Sequence, residues 1–108
     1  MTKNMTDTLE AMLARGNDSA MLRLTLAARY LEQGESERAL EHAEIAVQLD
    51  PDYSAAWRLL GKAQAALGLA ERAAETFRHG VSVARRRGDE QAAKEMQVFL
   101  RRLEAAKG

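Results

Sequence analysis

GESERALE, at residues 34–41, and GLAERAAE, at residues 68–75, agree at five of eight positions and begin 34 residues apart. A catalytic loop is normally needed once in a chain, whereas a packing solution is needed once in every structural unit. Each copy opens with a glycine, the residue best suited to end a helix in the left-handed conformation. The doubled stretch therefore indicates a helical repeat with a period of 34 residues.

The same spacing relates residues 20–53 to residues 54–87, which share seven identical positions. Apolar residues recur at helical spacing within each segment, so each is predicted to hold a pair of helices. In the first segment these helices cover about 20–33 and 36–49, with Ser36 as the N-cap of the second. The identical pairs are Leu26/Leu60, Gly34/Gly68, Glu37/Glu71, Arg38/Arg72, Ala39/Ala73, Glu41/Glu75 and Val47/Val81.

The two flanks continue the same plan. Residues 5–15 carry apolar residues at the spacing of a second helix and are predicted to form an N-terminal half repeat. Residues 89–106 are predicted to form a C-terminal capping helix, with one residue inserted near 85–87 relative to the repeat period. The sequence therefore predicts a single domain over residues 1–108 with about six helices.

Composition narrows the class of protein. The chain has no cysteine, which excludes disulfides, thiolate metal sites and cysteine nucleophiles and is typical of a reducing compartment. The polar start lacks the apolar run of a signal peptide, and no window approaches the length of a membrane span. We therefore expect a cytoplasmic protein that does not contact a membrane.

Charge is zero overall but uneven along the chain. The net charge is −1 over residues 1–19, −4 over residues 20–53 and +5 over residues 54–108. A neutral total argues against nucleic-acid binding by the whole chain. The acidic middle and basic C-terminal half can guide a partner or a second copy, and they are equally consistent with solvated helix faces.

Two arginine runs, Arg85–Arg87 and Arg101–Arg102, are the densest basic features. Cations at the C-terminal end of a helix complement its dipole, which gives the first run a structural role. Contact with nucleic acid is the functional alternative. The absence of interleaved aromatic residues argues against it.

These segments resemble the tetratricopeptide repeat family, whose unit of 34 residues carries the signature W-x₂-L-G-x₂-Y…A-x₃-F…P. Neither segment has the whole signature, since Arg23, Gln64 and Ala43 occupy its tryptophan, tyrosine and phenylalanine positions. The residues expected to pack the repeats, most of them in the signature, are Leu26, Tyr30, Gly34, Ala39, Pro51, Trp57, Leu60, Gly61, Gly68, Ala73 and Phe77.

The resemblance implies an all-α fold, a short α-α solenoid of antiparallel helix pairs that form a right-handed superhelix. Gly61 lies inside a predicted helix, where glycine lowers stability by about 1 kcal/mol relative to alanine. That cost is reasonable where another helix presses close to its Cα. Ala39 and Ala73 are predicted to be small for the same reason.

No catalytic constellation can be recognised in the sequence. His42 and His79 are the only histidines, and neither has the spacing of a metal-ligand pair. The glycine turns lack the GxxxxGK[ST] and GxGxxG patterns that bind phosphates. We therefore expect no enzyme activity, no metal and no cofactor.

A groove for a partner is what the resemblance implies instead, because the first helices of successive pairs line a concave surface in this family. On the last helix, Met96 and Phe99 would line the groove in place of Ala93, Gln97 and Leu100 if the inserted residue shifts the register. The corresponding positions are Met21, Leu24, Ala28, Leu31, Glu32, Ala55, Arg58, Lys62, Ala65, Ala66, Ala93, Gln97 and Leu100.

Arg58 and Lys62 form one cationic pair among these positions, spaced to share a helix face. They can receive a carboxylate from a partner, or they can be solvated beside glutamates of the same surface. Some members of the family clamp the C-terminal carboxylate of a chaperone with asparagine and basic side chains. Here there is no asparagine at those places, and Glu32 adds a charge of the wrong sign.

The expected function is a non-catalytic adaptor that binds a peptide or protein segment in the concave groove. Self-association into a homodimer or larger oligomer, with acidic and basic regions of two copies in contact, is the alternative. Nucleic-acid binding through the arginine runs is the third. The sequence does not identify the partner.

Overall fold

The computed structural model describes residues 4–107, and within them the chain forms six helices and no strands. Turns of three to five residues join the helices, so that each helix packs against the one before it. This all-α helical repeat fold confirms the fold predicted from the sequence. The helices are α1 (Met5–Ala14), α2 (Ala20–Glu32), α3 (Ser36–Leu49), α4 (Ser54–Ala66), α5 (Ala70–Arg86) and α6 (Glu90–Lys107).

The glycine that opens each copy of the doubled stretch ends a helix. Gly34 and Gly68 have φ values of +77° and +79°, in the left-handed region that glycine adopts without strain. The Glu35 N–H donates to the Tyr30 carbonyl at 2.9 Å, five residues back, which is the bond of a Schellman motif. The turn therefore ends one helix and reverses the direction of the chain within a few residues. It occurs once in each repeat.

The prediction that Ser36 caps α3 is wrong. The helix begins at Ser36 itself, the cap position is Glu35, and no side chain accepts a hydrogen bond there. The glycine turn is so short that its last residue already serves as the cap, with ψ at 70° rather than extended. Ser19 shows the geometry that Ser36 lacks, because its ψ is 160° and its Oγ accepts from the Leu22 N–H at 3.1 Å.

The core is continuous along the stack of helices. Leu26 and Tyr30 of α2 pack with Leu9 of α1, and Leu60 of α4 packs with Ala27 and Ala43 between the two repeats. Trp57 is half-buried and donates its Nε1–H to the Pro51 carbonyl at 2.8 Å. The residues of the last section of the core, against α6, are Ala73, Phe77, Val81, Ala84, Ala93 and Met96.

Gly61 of α4 lies directly against the ring of Phe77 of α5. A Cβ atom added there would be 2.6 Å from Cζ of Phe77 and would also overlap the neighbouring ring carbons. The Phe77 ring is 1% exposed and packed in the core, so the overlap could be relieved only by moving that ring or the helices. The helix accepts glycine here because any side chain would push α4 away from α5.

We predict that Gly61→Leu unfolds the domain, because overpacking a filled core costs at least about 1–3 kcal/mol. Gln64→Leu, one turn later on α4, is the matched control. Gln64 is 3% exposed, and its Oε1 has no hydrogen-bond partner within residues 4–107, so leucine removes an unsatisfied group. Thermal unfolding should show that the free energy of unfolding of the control differs from that of the parent by less than about 1 kcal/mol. Equal melting temperatures for the two variants would contradict the close approach.

A polar cluster fastens α1 to α2 and α3. The Tyr30 hydroxyl donates to Glu10 at 3.1 Å, and His42 Nε2 lies 3.7 Å from the same carboxylate. Arg23 Nη1 is 3.0 Å from His42 Nδ1, and Arg23 also pairs with Asp18 at 2.8 Å. Arginine can only donate, so Nδ1 accepts, and His42 is neutral with its proton on Nε2. A second proton would sit on Nδ1 and point at the positively charged guanidinium of Arg23.

The environment of His42 makes the stability of the fold depend on pH. Burial lowers the pKa of His42 and the Arg23 charge lowers it further, while the Glu10, Glu41 and Asp18 carboxylates oppose the shift. The unfolded chain therefore takes up a proton at higher pH than the folded chain does. The stability that neutral His42 contributes is complete above about pH 6.5 and is lost as pH falls through the lower folded pKa.

We predict that the free energy of unfolding falls between about pH 7 and about pH 5, and that His42→Gln makes this decline shallower. Glutamine has a donor and an acceptor but does not titrate in this range. Urea titrations at several pH values, followed by circular dichroism, measure both slopes. If the free energy of unfolding fell equally steeply with pH in parent and variant, a group other than His42 would be responsible for the decline.

Candidate functional site: a groove along α2, α4 and α6

Three adjoining depressions form one groove along the first helices of the pairs. Two lie between α2 and α4, with volumes of about 300 and 390 Å³, and both include Ala28, Glu32, Arg58 and Leu59. The third, about 420 Å³, shares Lys62 with the 390 Å³ depression. We call the third depression the Phe99 pocket, and its residues are Lys62, Ala65, Ala66, Phe77, Phe99, Arg102 and Leu103.

The structure brings most of the groove positions expected on α2 and α4 to these depressions. Met21 lies outside them and is 69% exposed. Leu59, Thr25 and Arg29 line the groove although the sequence analysis did not select them. The expected positions that line it are Leu24, Ala28, Leu31, Glu32, Arg58, Lys62, Ala65 and Ala66.

Helix α6 presents different residues from those expected. Ala93 is 1% exposed and belongs to the core, and Met96, the alternative, is fully buried there. Phe99, the other residue of the alternative register, does line the groove, together with Arg102 and Leu103, which were not expected there. Among the other expected positions, Ala55, Gln97 and Leu100 line none of the three depressions. Helix α5 has 17 residues where α3 has 14, and α6 begins at Glu90 rather than at residue 88, the position 34 residues after Ser54, so the expected positions do not carry over to α6.

Charges in the groove are arranged differently at its two ends. Arg58 Nη1 is 3.5 Å from Glu95 of α6, and Arg29 is 3.7 Å from Glu32, so both guanidinium groups have a carboxylate. Lys62 lies over the ring of Phe99, with its Nζ 5.6 Å from the ring centroid. The expected pair, Arg58 and Lys62, lines the 390 Å³ depression together, but Arg58 has a carboxylate partner and only Lys62 also lines the Phe99 pocket.

Comparison with known proteins gives this arrangement a family. A family model described as tetratricopeptide repeat matches residues 20–63. A TPR repeat-containing protein of Pseudomonas aeruginosa is 48% identical over 103 residues, which cover 95% of this chain and 98% of that protein. This chain belongs to the tetratricopeptide repeat family.

Two further similar proteins bear on the fold and the function. The solution structure of a Bordetella parapertussis protein is 43% identical with a TM-score of 0.85, over 97% of this chain and 91% of that one. A heat-shock protein cognate co-chaperone of Aspergillus fumigatus is 32% identical over 80 residues, 74% of this chain and 24% of that protein. Tetratricopeptide repeat domains are commonly protein-interaction modules, and the family is generally non-catalytic.

The remaining polar features lie away from the tetratricopeptide groove. Arg85–Arg87 are exposed at the end of α5, where Arg86 lies 3.9 Å from Asp52 and the cations complement the helix dipole. His79 is exposed and contacts Trp57 edge-on, with ring centroids 4.3 Å apart.

Over residues 4–107 no helix is long and apolar enough to cross a membrane.

Proposed function

We propose that this chain is a non-catalytic interaction module that binds a peptide or protein segment of a partner in the groove along α2, α4 and α6. The continuity of the groove carries the proposal. Adjoining depressions share Ala28, Arg58 and Lys62, so one extended or helical segment can contact three helices at once. The surface positions come from rigid helices rather than loops, which limits the entropy lost on binding.

The chemistry of the groove favours a segment with apolar anchors. Its floor is formed by Leu24, Ala28, Leu31, Leu59 and Ala65, all apolar. Apolar side chains of a partner gain about 25 cal/mol per Å² of surface that they bury against such a floor. Charged side chains stand at the rim, where they select the partner by complementarity rather than supply most of the affinity.

The co-chaperone relative supports a protein partner of this general kind, and its identity to this chain is confined to 80 residues. A clamp for a C-terminal carboxylate of the kind found in the family has little support here. Its place in the groove holds Leu24 and Ala28, and the nearby Arg58 already has Glu95. We therefore propose peptide binding in the groove without that clamp.

We predict that Ala28→Arg releases a partner that the parent protein captures from a lysate of the source organism. Ala28 lines both α2 depressions, and an arginine there fills the groove while its charged end reaches solvent. Ser82→Arg, at an exposed position of α5, makes the same charge change away from the groove and should keep the partner. Capture measured by mass spectrometry that responds equally to both substitutions would contradict binding in the groove.

Self-association is a second candidate, and the uneven charge favours it. The acidic residues 20–53 and the basic residues 54–107 already attract each other within one molecule, since Glu44 lies 3.7 Å from Arg72. The same attraction can join two copies through charges that remain exposed, such as Glu37 and Glu41 on α3.

We predict under this candidate a dimer that dissociates as salt rises, because the Debye length shrinks from about 14 Å at 50 mM to about 4 Å at 500 mM. Light scattering coupled to size exclusion measures the mass at both salt concentrations. A monomeric mass at every concentration of protein and salt eliminates self-association and leaves binding of a different protein.

A further inference from the structure

The Phe99 pocket differs from the rest of the groove in combining an apolar wall with two cations. Ala65 and Ala66 come from the last turn of α4, and Phe99 and Leu103 are one turn apart on α6. Phe99 is backed by Phe77, with the two rings stacked at a centroid distance of 5.4 Å. The wall is therefore fixed by the core and does not need to form when a ligand arrives.

Both cations of the pocket lie over the same ring. Lys62 Nζ is 5.6 Å and Arg102 Cζ is 6.0 Å from the centroid of Phe99. Such cation–π contacts hold the two cations near the pocket without neutralising their charges. Phe99 thus positions two positive charges at the edge of an apolar surface.

The charges of Lys62 and Arg102 have no counter-ion inside the described part of the molecule. Among residues 4–107, neither forms an ion pair with a carboxylate, whereas Arg58 and Arg78 on the neighbouring surface pair with Glu95 and Glu104 at 3.5 Å. No acidic residue lines the pocket. Two like charges held on one ring repel each other, and carboxylates of a ligand would relieve that repulsion.

We propose that the Phe99 pocket binds an acidic peptide segment of a partner protein that carries one aliphatic side chain. The aliphatic side chain lies between Phe99 and Leu103, and carboxylates beside it pair with Lys62 and Arg102. This inference rests on the proposed function, because the pocket is the C-terminal end of the same groove. It adds that the acidic part of the partner lies at α6, since the cations of the α2 end, Arg29 and Arg58, already have carboxylates.

A labelled model peptide tests the proposal directly. The probe has a central leucine with two glutamates on each side and both ends blocked. One control peptide replaces leucine by alanine, and another replaces the glutamates by glutamine. We expect the parent protein to bind the probe at least tenfold more tightly than either control in fluorescence anisotropy, because each control removes one of the two interactions that the pocket offers.

The matched protein variants are Arg102→Glu and Arg101→Glu. Both residues are exposed on α6 and both substitutions change the net charge equally, but only Arg102 lines the pocket. We expect Arg102→Glu to weaken binding of the probe at least tenfold and Arg101→Glu to weaken it less than twofold. Equal weakening by the two variants would mean diffuse charge attraction and overturn the proposal.

Amide chemical shifts in NMR spectra locate the bound probe. Shifts at Lys62, Phe99 and Leu103 support the pocket, and shifts confined to α2 overturn it. Capture of a lysate partner separates this inference from the proposed function. If Ala28→Arg releases that partner and Arg102→Glu does not, the groove keeps its function and the acidic-segment proposal fails.

Discussion

The close approach of α4 to α5 at Gly61 is the contact on which the C-terminal half of the molecule depends. A side chain at this position would occupy the space of the Phe77 ring, so the two helices can meet there only because glycine has none. Phe77 is thereby held where its ring stacks on Phe99 of α6. The same two rings form a wall of the groove, so the packing of the scaffold and the shape of the candidate site depend on one contact.

Features fixed by neighbouring residues could be predicted from the sequence. The helical segments follow from periodicity, and the helix ends at Gly34 and Gly68 follow from the one residue that adopts positive φ without strain. Ser36 was wrongly predicted to be an N-cap because the glycine turn that ends α2 and the cap that begins α3 would have to use the same short segment. The glycine motif uses Glu35 as its last residue, and α3 begins immediately afterwards, so the serine is already helical.

Features that depend on two distant helices could not be predicted. The spacing of Arg58 and Lys62 places them on one face of α4, but their neighbours, Glu95 and Phe99, come from α6. The rotation of α6 follows from how far α5 extends past the repeat period, and helix boundaries are the least certain part of a sequence-based assignment. An error of one residue in a helix assignment changes the direction that a given residue faces by about 100°, which is enough to exchange core and groove positions. Ala93 lies in the core and Arg102 in the groove.

Differences between the two repeats give equivalent positions different polar contacts. Tyr30 and Gln64 occupy equivalent positions, and Tyr30 finds a partner in Glu10 of α1. The carboxylate one period after Glu10 is Glu44 of α3; it pairs with Arg72, and Gln64 keeps an unsatisfied oxygen within the described residues. One period before Lys62 stands Ala28, so the repeat surface is uncharged at that position in its first copy. The residues that recur hold the helices together, and those that change give each section of the groove its own chemistry.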